Sequence, residues 1–169
     1  MKRAVILLLL SEILLAAPAI AETGVFFSPG ENIRETLLQE IDSTTSTLDV
    51  AIHEITSYDF ARALIHARER GVKVRVVADS KKAKTKSSRI NFLIQQGIPV
   101  KVLGGREREM MGHRFAIFDG KRIIVGSFDW SEVSFKGNYE SLLILQETEI
   151  IDAYQKEFDR LWREKRVIR

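Results

Sequence analysis

The stretch from Leu48 to Asp79 constrains this chain more than any other. Leu48 to Ile55 reads as a strand, and Thr56-Ser57 supplies a helix cap. Phe60, Ala63, Leu64 and Ala67 then recur at the spacing of one buried helix face. Gly71 falls where that helix should end. Val72, Val74, Val76 and Val77 make a β-branched strand that closes at Asp79. Strand, helix and strand in this order form a βαβ unit, so the two strands run parallel through a right-handed crossover.

The remaining elements continue the alternation. Gly24 to Phe27 is short and apolar, and Ser28-Pro29-Gly30 turns the chain. Ile33, Leu37, Leu38 and Ile41 place a helix from about Glu31 to Ser43. A polar loop, Ser80 to Ser88, leads to a short helix through Ile90, Leu93 and Ile94 that stops at Gly97. Ile98 to Leu103 is the next strand. Phe115 to Phe118 and Arg122 to Val125 flank Asp119-Gly120, a turn dipeptide that signals a hairpin. Leu142 to Leu145 is a last strand. Thr148 caps a final helix with Ile151, Tyr154, Phe158, Leu161 and Trp162 on its apolar side. With 169 residues, no repeat and no linker, the expectation is one α/β domain: an α-β-α sandwich around a mixed β-sheet.

The first residues stand apart from this domain. Lys2 and Arg3 precede the apolar runs Ala4–Leu10 and Ile13–Ala17, then Pro18 and the small-residue triplet Ala19-Ile20-Ala21. Basic start, short apolar core and small residues at the end are the parts of a secretory signal. Residues 1–21 are therefore expected to be a signal peptide cleaved after Ala21, with the domain at 22–169 and a periplasmic or secreted location. The alternative is an uncleaved anchor. No later run reaches the ~18 apolar residues of a membrane span.

The chain has no cysteine, which excludes a disulfide framework, a thiolate metal site and a cysteine nucleophile. A formal net charge of +3 is too small to identify a partner, so the placement of the cations matters more. Lys81, Lys82, Lys84, Lys86 and Arg89 crowd one loop that contains no acid. This loop follows the carboxyl end of a parallel strand, where open α/β sheets bind ligands. It suits contact with a phosphate chain, the alternative being a solvated loop. Aromatic residues are scarce there, so base stacking has little support.

The segment Met111-Gly112-His113-Arg114-Phe115-Ala116-Ile117-Phe118-Asp119, then six residues, then Gly126-Ser127-Phe128-Asp129-Trp130, carries a resemblance. It resembles the phospholipase D superfamily, and in particular its small bacterial endonuclease branch. The family motif is His-x-Lys, four residues, Asp, six residues, Gly-Ser-x-Asn. Val50-Ala51-Ile52, Arg70 to Val76, Gly97-Ile98-Pro99-Val100, Asn138-Tyr139-Glu140 and Glu157 to Trp162 also fit the family. The resemblance implies a phosphodiesterase that needs no metal or other cofactor. One histidine attacks phosphorus, a second protonates the leaving oxygen, and the lysine and asparagine hold the phosphate. An acid at the position of Glu140 orients the histidine. Because each chain carries one motif, the resemblance also implies a homodimer with one active site across its twofold axis.

At the motif itself Asp119, Gly126, Ser127 and Glu140 keep the family identity. Gly112, Arg114 and Asp129 stand where the family has histidine, lysine and asparagine. Glycine can neither attack phosphorus nor protonate a leaving group. Arg114 can still bind phosphate, even bidentately. Asp129 repels phosphate unless it is protonated or paired with Arg114. His113 lies one position late, and on a strand it faces away from Arg114 unless a bulge at Gly112 re-aims it. Glu140 either orients such a histidine or pairs with a nearby arginine. His53 either has a secondary acid–base or phosphate role or is simply a satisfied residue at the pocket edge. The expected activity is hydrolysis of nucleic-acid phosphodiesters, with His113 as the substitute histidine and Arg114 holding phosphate. The alternatives are an inactive polyanion-binding dimer and action on phospholipid head groups.

Overall fold

Alternate side chains of the middle strands point into two different layers in the computed structural model, which describes residues 23–30, 32–104 and 109–165. In β2 (Thr47–Ile52) and β3 (Lys73–Asp79), Leu48, Val50, Ile52, Val74, Val76 and Ala78 face one way. They pack under α1 (Ile33–Ser43), α2 (Tyr58–Glu69) and α3 (Ile90–Gln95). Ala51 and Val77 face the other way, into a second core. There they meet Phe115 and Ile117 of β5 (Arg114–Phe118) and Phe158 and Leu161 of α5 (Thr148–Arg163). The period of two in a strand thus builds a helix–sheet–helix sandwich.

The mixed sheet has seven strands, adding β1 (Gly24–Ser28), β4 (Val100–Leu103), β6 (Arg122–Gly126) and β7 (Glu140–Leu145). Their order is β1-β7-β6-β5-β2-β3-β4. β2 and β3 run parallel, as the βαβ reading expects, β4 adds in parallel to β3, and β5, β6, β7 and β1 join antiparallel. This is the single α/β domain anticipated from sequence.

Several local expectations need correction. Ser57 stands at the start of α2 but makes no side-chain capping bond, its hydroxyl donating to Glu132 instead, and β4 begins at Val100 rather than Ile98. β2 ends at Ile52 rather than Ile55, because the next residues leave the sheet to bond a distant segment. Thr56 and Ser57 donate their N–H groups to the Trp130 carbonyl, and Trp130 N–H donates to Glu54. Thr148 opens α5 but does not cap it; Glu147 is the cap position and makes no side-chain capping bond. A short helix, α4 (Glu132–Lys136), was not foreseen, since five residues are too few to display a period. Its start is nevertheless capped: the Ser131 hydroxyl accepts from the Ser134 N–H. The leader-like residues 1–21 lie outside the described residues. No helix among the described residues is long and apolar enough to cross a membrane.

Asp119 shows how the hairpin is fixed. Asp119 and Gly120 both have positive φ, 53° and 63°, as a tight β-hairpin turn requires. The Asp119 carboxylate accepts from the backbone N–H groups of Thr45, Ser46 and Thr47 and from the hydroxyls of Thr45 and Ser46, at 2.7–3.0 Å. It therefore ties the β5–β6 turn to the start of β2. Burial pushes this carboxyl upward, but the N–H groups of Thr47, Thr45 and Ser46 outweigh it and bring its pKa down from 3.8 to about 2. A carboxylate with a lowered folded pKa stabilises the fold above its unfolded pKa and loses that contribution as pH falls through the folded value. Asp119→Asn is expected to cost about 1 kcal/mol at pH 7, allowing for the turn's partial exposure. Thermal unfolding of both proteins checks this, and the difference should shrink between pH 4 and pH 2.

Candidate functional site

The register of the sheet gathers the motif residues at one edge. Ile52, the last residue of β2, pairs with Arg114, the first of β5. Gly126 ends β6 opposite Leu142, and Ser28 ends β1 opposite Glu140. The basic loop leaves β3 at the same edge. Gly126 is required by packing: a Cβ there would lie 2.0 Å from the Ser141 carbonyl oxygen. That close approach lets Ser127 reach across to β7. The Ser127 hydroxyl accepts the Ser141 N–H at 3.2 Å and donates to Glu140, whose other oxygen accepts from the Asn138 amide at 2.9 Å. Glu140 is thus held by Ser127 and Asn138, and among the described residues neither a histidine nor an arginine is its partner.

Arg114 and Asp129 form the centre of the edge. Arg114 Nη2 donates to Asp129 Oδ2 at 3.0 Å, and Arg114 Nε lies 3.0 Å from Oδ1. Nε is buried and makes no aligned hydrogen bond despite that distance. The Glu54 N–H donates to Asp129 Oδ1 at 3.2 Å, and Arg114 Nη1 donates to the Gly112 carbonyl at 3.3 Å. Beneath Arg114 a small hollow is bounded by Ala116, Ile124, Phe128 and Trp130. The pairing that sequence offered as one way to neutralise Asp129 is therefore present.

The remaining sequence candidates divide. His113 does not join Arg114: its Nε2 lies 3.0 Å from Glu157 Oε1 on α5, and its ring meets Phe115 edge-on. Strand alternation wins, and no bulge at Gly112 re-aims the histidine. Arg160's guanidinium, and after it His113, hold the Glu157 carboxyl below the usual range against the upward push of burial. His53 is buried, with Nδ1 3.3 Å from the Met111 carbonyl, so it is a satisfied edge residue. Arg89 serves the fold, donating to the Thr56 carbonyl and lying over the Tyr58 ring. Lys82 pairs with Glu54 at 3.4 Å, while Lys81, Lys84 and Lys86 are exposed. Asp119 lies at the far end of β5, roughly 16 Å along the strand from Arg114. It anchors a turn and does not belong to this edge.

Two residues overlooked in sequence build the edge. Asp79, fully buried at the end of β3, accepts from the N–H groups of Lys81 and Lys82 and, through its other oxygen, from that of Met111. One carboxylate thereby shapes the basic loop and holds the entry to the motif strand. An aspartate just before a polar loop is a turn-forming signal in its own right. Glu54 bridges Lys82 and, through its N–H, Asp129. Chemically the edge can hold an anion by Arg114 and the loop lysines. The chain's histidines are turned elsewhere: His66 is on the exposed side of α2, and neither His53 nor His113 is hydrogen-bonded to Arg114, Asp129, Ser127 or Glu140. Among the described residues no cluster of three or more His, Asp or Glu could hold a metal ion.

Residues 37–162 match the family model described as "Cardiolipin synthase, PLD-like domain". The chain is 34% identical over 125 residues to a mitochondrial cardiolipin hydrolase of Chlamydomonas reinhardtii, covering 74% of this chain and 55% of that protein. It thus spans little more than half the length of that relative. Among solved structures, NucT from Helicobacter pylori superposes with a TM-score of 0.79 at 29% identity, covering 83% of this chain and 95% of that one. Nuc from Salmonella typhimurium, a phospholipase D family member, has a TM-score of 0.78 at 22% identity, covering 88% and 98%, and shares the fold.

The two glycines at this edge should respond oppositely to a methyl group. Gly126→Ala drives a Cβ into the Ser141 carbonyl and should cost upwards of ~2 kcal/mol. Gly112→Ala meets only Met110 Cε at 4.0 Å and should change stability by less than ~0.5 kcal/mol. Urea unfolding midpoints of the two variants check the contrast.

Proposed function

The chain belongs to the phospholipase D-like family of phosphodiesterases, and from that premise we propose that it holds nucleic-acid phosphodiesters along the edge formed by Arg114 and the 81–86 loop. In this reading it acts as a binding protein. The observation that carries the reading is the replacement of the family's attacking histidine by Gly112, beside an arginine that remains suited to phosphate. A phosphoryl oxygen can be gripped here, but among the described residues no histidine stands on the Arg114 side to attack it or protonate a leaving oxygen. The exposed Lys81, Lys84 and Lys86 extend the positive edge in a way that suits a chain of phosphates better than one head group. The likeness to the Nuc structures supports nucleic acid, and the cardiolipin hydrolase relatives support lipid.

One observation favours a second reading, in which the protein hydrolyses its ligand through His113. The His113 side chain is 41% exposed, and a partly exposed contact such as its bond to Glu157 is worth no more than ~1 kcal/mol. Turning the histidine toward Arg114 would break that bond and place an imidazole beside the phosphate position.

Purified protein assayed with DNA and RNA in EDTA separates the two. The binding reading expects salt-sensitive binding to a single-stranded oligonucleotide with no cleavage. It also expects cleavage to appear in the triple variant Gly112→His, Arg114→Lys, Asp129→Asn. Wild-type cleavage abolished by His113→Ala would establish hydrolysis instead. Tighter binding to cardiolipin vesicles than to oligonucleotide at equal ionic strength would move the ligand to lipid.

We further propose that two chains assemble edge to edge, each supplying one motif. Tyr139, between Asn138 and Glu140, is 92% exposed, and Val133 on the neighbouring α4 is 66% exposed. Sedimentation should give twice the chain mass, and a monomer at micromolar concentration would overturn the dimer. The signal-like residues 1–21 support export.

A further inference from the structure

The carboxylate on Arg114 has a consequence for which anions this edge accepts. A guanidinium recognises phosphate with the same parallel N–H groups that it offers a carboxylate. In this protein Asp129 already occupies that face, with Oδ2 on Nη2 and Oδ1 3.0 Å from Nε. The fit is incomplete, because the buried Nε N–H finds no aligned acceptor. Asp129 is itself held in place by the Glu54 N–H, and Glu54 in turn holds Lys82. Arg114 and Lys82 are therefore each covered by an acid of the same chain. The outer cations Lys81, Lys84 and Lys86 are exposed and have no carboxylate partner among the described residues.

From this geometry we infer that Asp129 is an internal ligand of Arg114 that makes the site selective for a chain of phosphodiesters over an isolated phosphate. The inference rests on the reading of the edge as a phosphodiester site. A lone phosphate must displace Asp129 unaided and meets its negative charge while doing so. Its apparent affinity is lowered by the fraction of molecules in which the pair is closed. A polyphosphate chain first lodges on the outer lysines, and the next phosphate then competes with Asp129 at high local concentration. Its better match to the Nε that Asp129 leaves unsatisfied favours the exchange. Asp129 is thus a specificity residue that works by occupying Arg114.

Asp129→Asn tests this, since the amide oxygen can still accept the Glu54 N–H while the negative charge is gone. Binding of inorganic phosphate is measured by calorimetry and binding of a single-stranded oligonucleotide by fluorescence anisotropy. Both are compared in wild type, Asp129→Asn, Arg114→Gln and the double variant, with melting temperatures confirming folding. The expected result is a gain of ~tenfold or more in phosphate affinity for Asp129→Asn, a smaller gain for the oligonucleotide, and loss of the phosphate gain in the double variant. If the gain persists without Arg114, it is a general effect of charge and the inference fails. Unchanged phosphate affinity in Asp129→Asn, with oligonucleotide binding still weakened by Arg114→Gln, overturns the inference and leaves the phosphodiester site standing. Oligonucleotide affinity indifferent to Arg114→Gln in both backgrounds overturns the site as well.

Discussion

Antiparallel pairing between β2 and β5 joins two halves of different construction, a parallel βαβ half and an antiparallel meander. Its register sets Ile52 against Arg114 at one end and Leu48 against Phe118 at the other. The first pairing brings the end of β2, with Glu54 just beyond it, alongside the head of the motif strand. The second brings Thr45, Ser46 and Thr47 over the Asp119 turn. A slip of one residue would reverse every side chain of β5 between the two cores. It would exchange Phe115 for Ala116 against α5 and carry Arg114 away from Asp129. Both ends of the motif thus depend on the alternating burial of Phe115, Ala116, Ile117 and Phe118.

Much of this architecture can be read from the chain because its strands are dense in β-branched residues and its helices carry long apolar periods. Val72 to Val77, the Asp119-Gly120 turn and the apolar side of α5 each state their structure locally. What is hidden depends on partners remote in sequence. Asp119 looks like chemistry inside a catalytic motif, and only its bonds to residues 45–47 reveal a turn anchor. Arg89 reads as one more cation of a basic loop until the Thr56 carbonyl and the Tyr58 ring are beside it. His113 is the instructive case. Strand alternation already turned it away from Arg114, and Glu157, far along in α5, gives it a partner there. Asp79 was legible as the end of a strand, but its bond to the Met111 N–H joins segments that no local pattern connects.

The site edge is rich in charge, and part of that charge is paired within the chain. Arg114 is matched by Asp129 and Lys82 by Glu54, while Glu140 rests on the neutral donors of Ser127 and Asn138. A partly buried arginine next to apolar Phe128 and Trp130 needs a counter-charge when no ligand is present. An aspartate at position 129 supplies it internally, whereas an asparagine would leave the guanidinium to solvent or to an anion. Arginine and aspartate at 114 and 129 therefore form one coupled unit, intelligible as a pair and puzzling as two separate departures from the family motif.

The pairing of β1 with β7 reaches further than the sheet edge it closes. Gly24 lies opposite Ile144 and Ser28 opposite Glu140, so the earliest strand of the domain rests on the latest. During synthesis β1 has no partner until β7 has emerged, and β2, which β3 joins early, waits for β5 on its other side. Such long-range closure makes folding slow to begin and concerted at the end. The outer edge of the sheet therefore stays open through the synthesis of everything between β1 and β7, and it closes only once β7 is made.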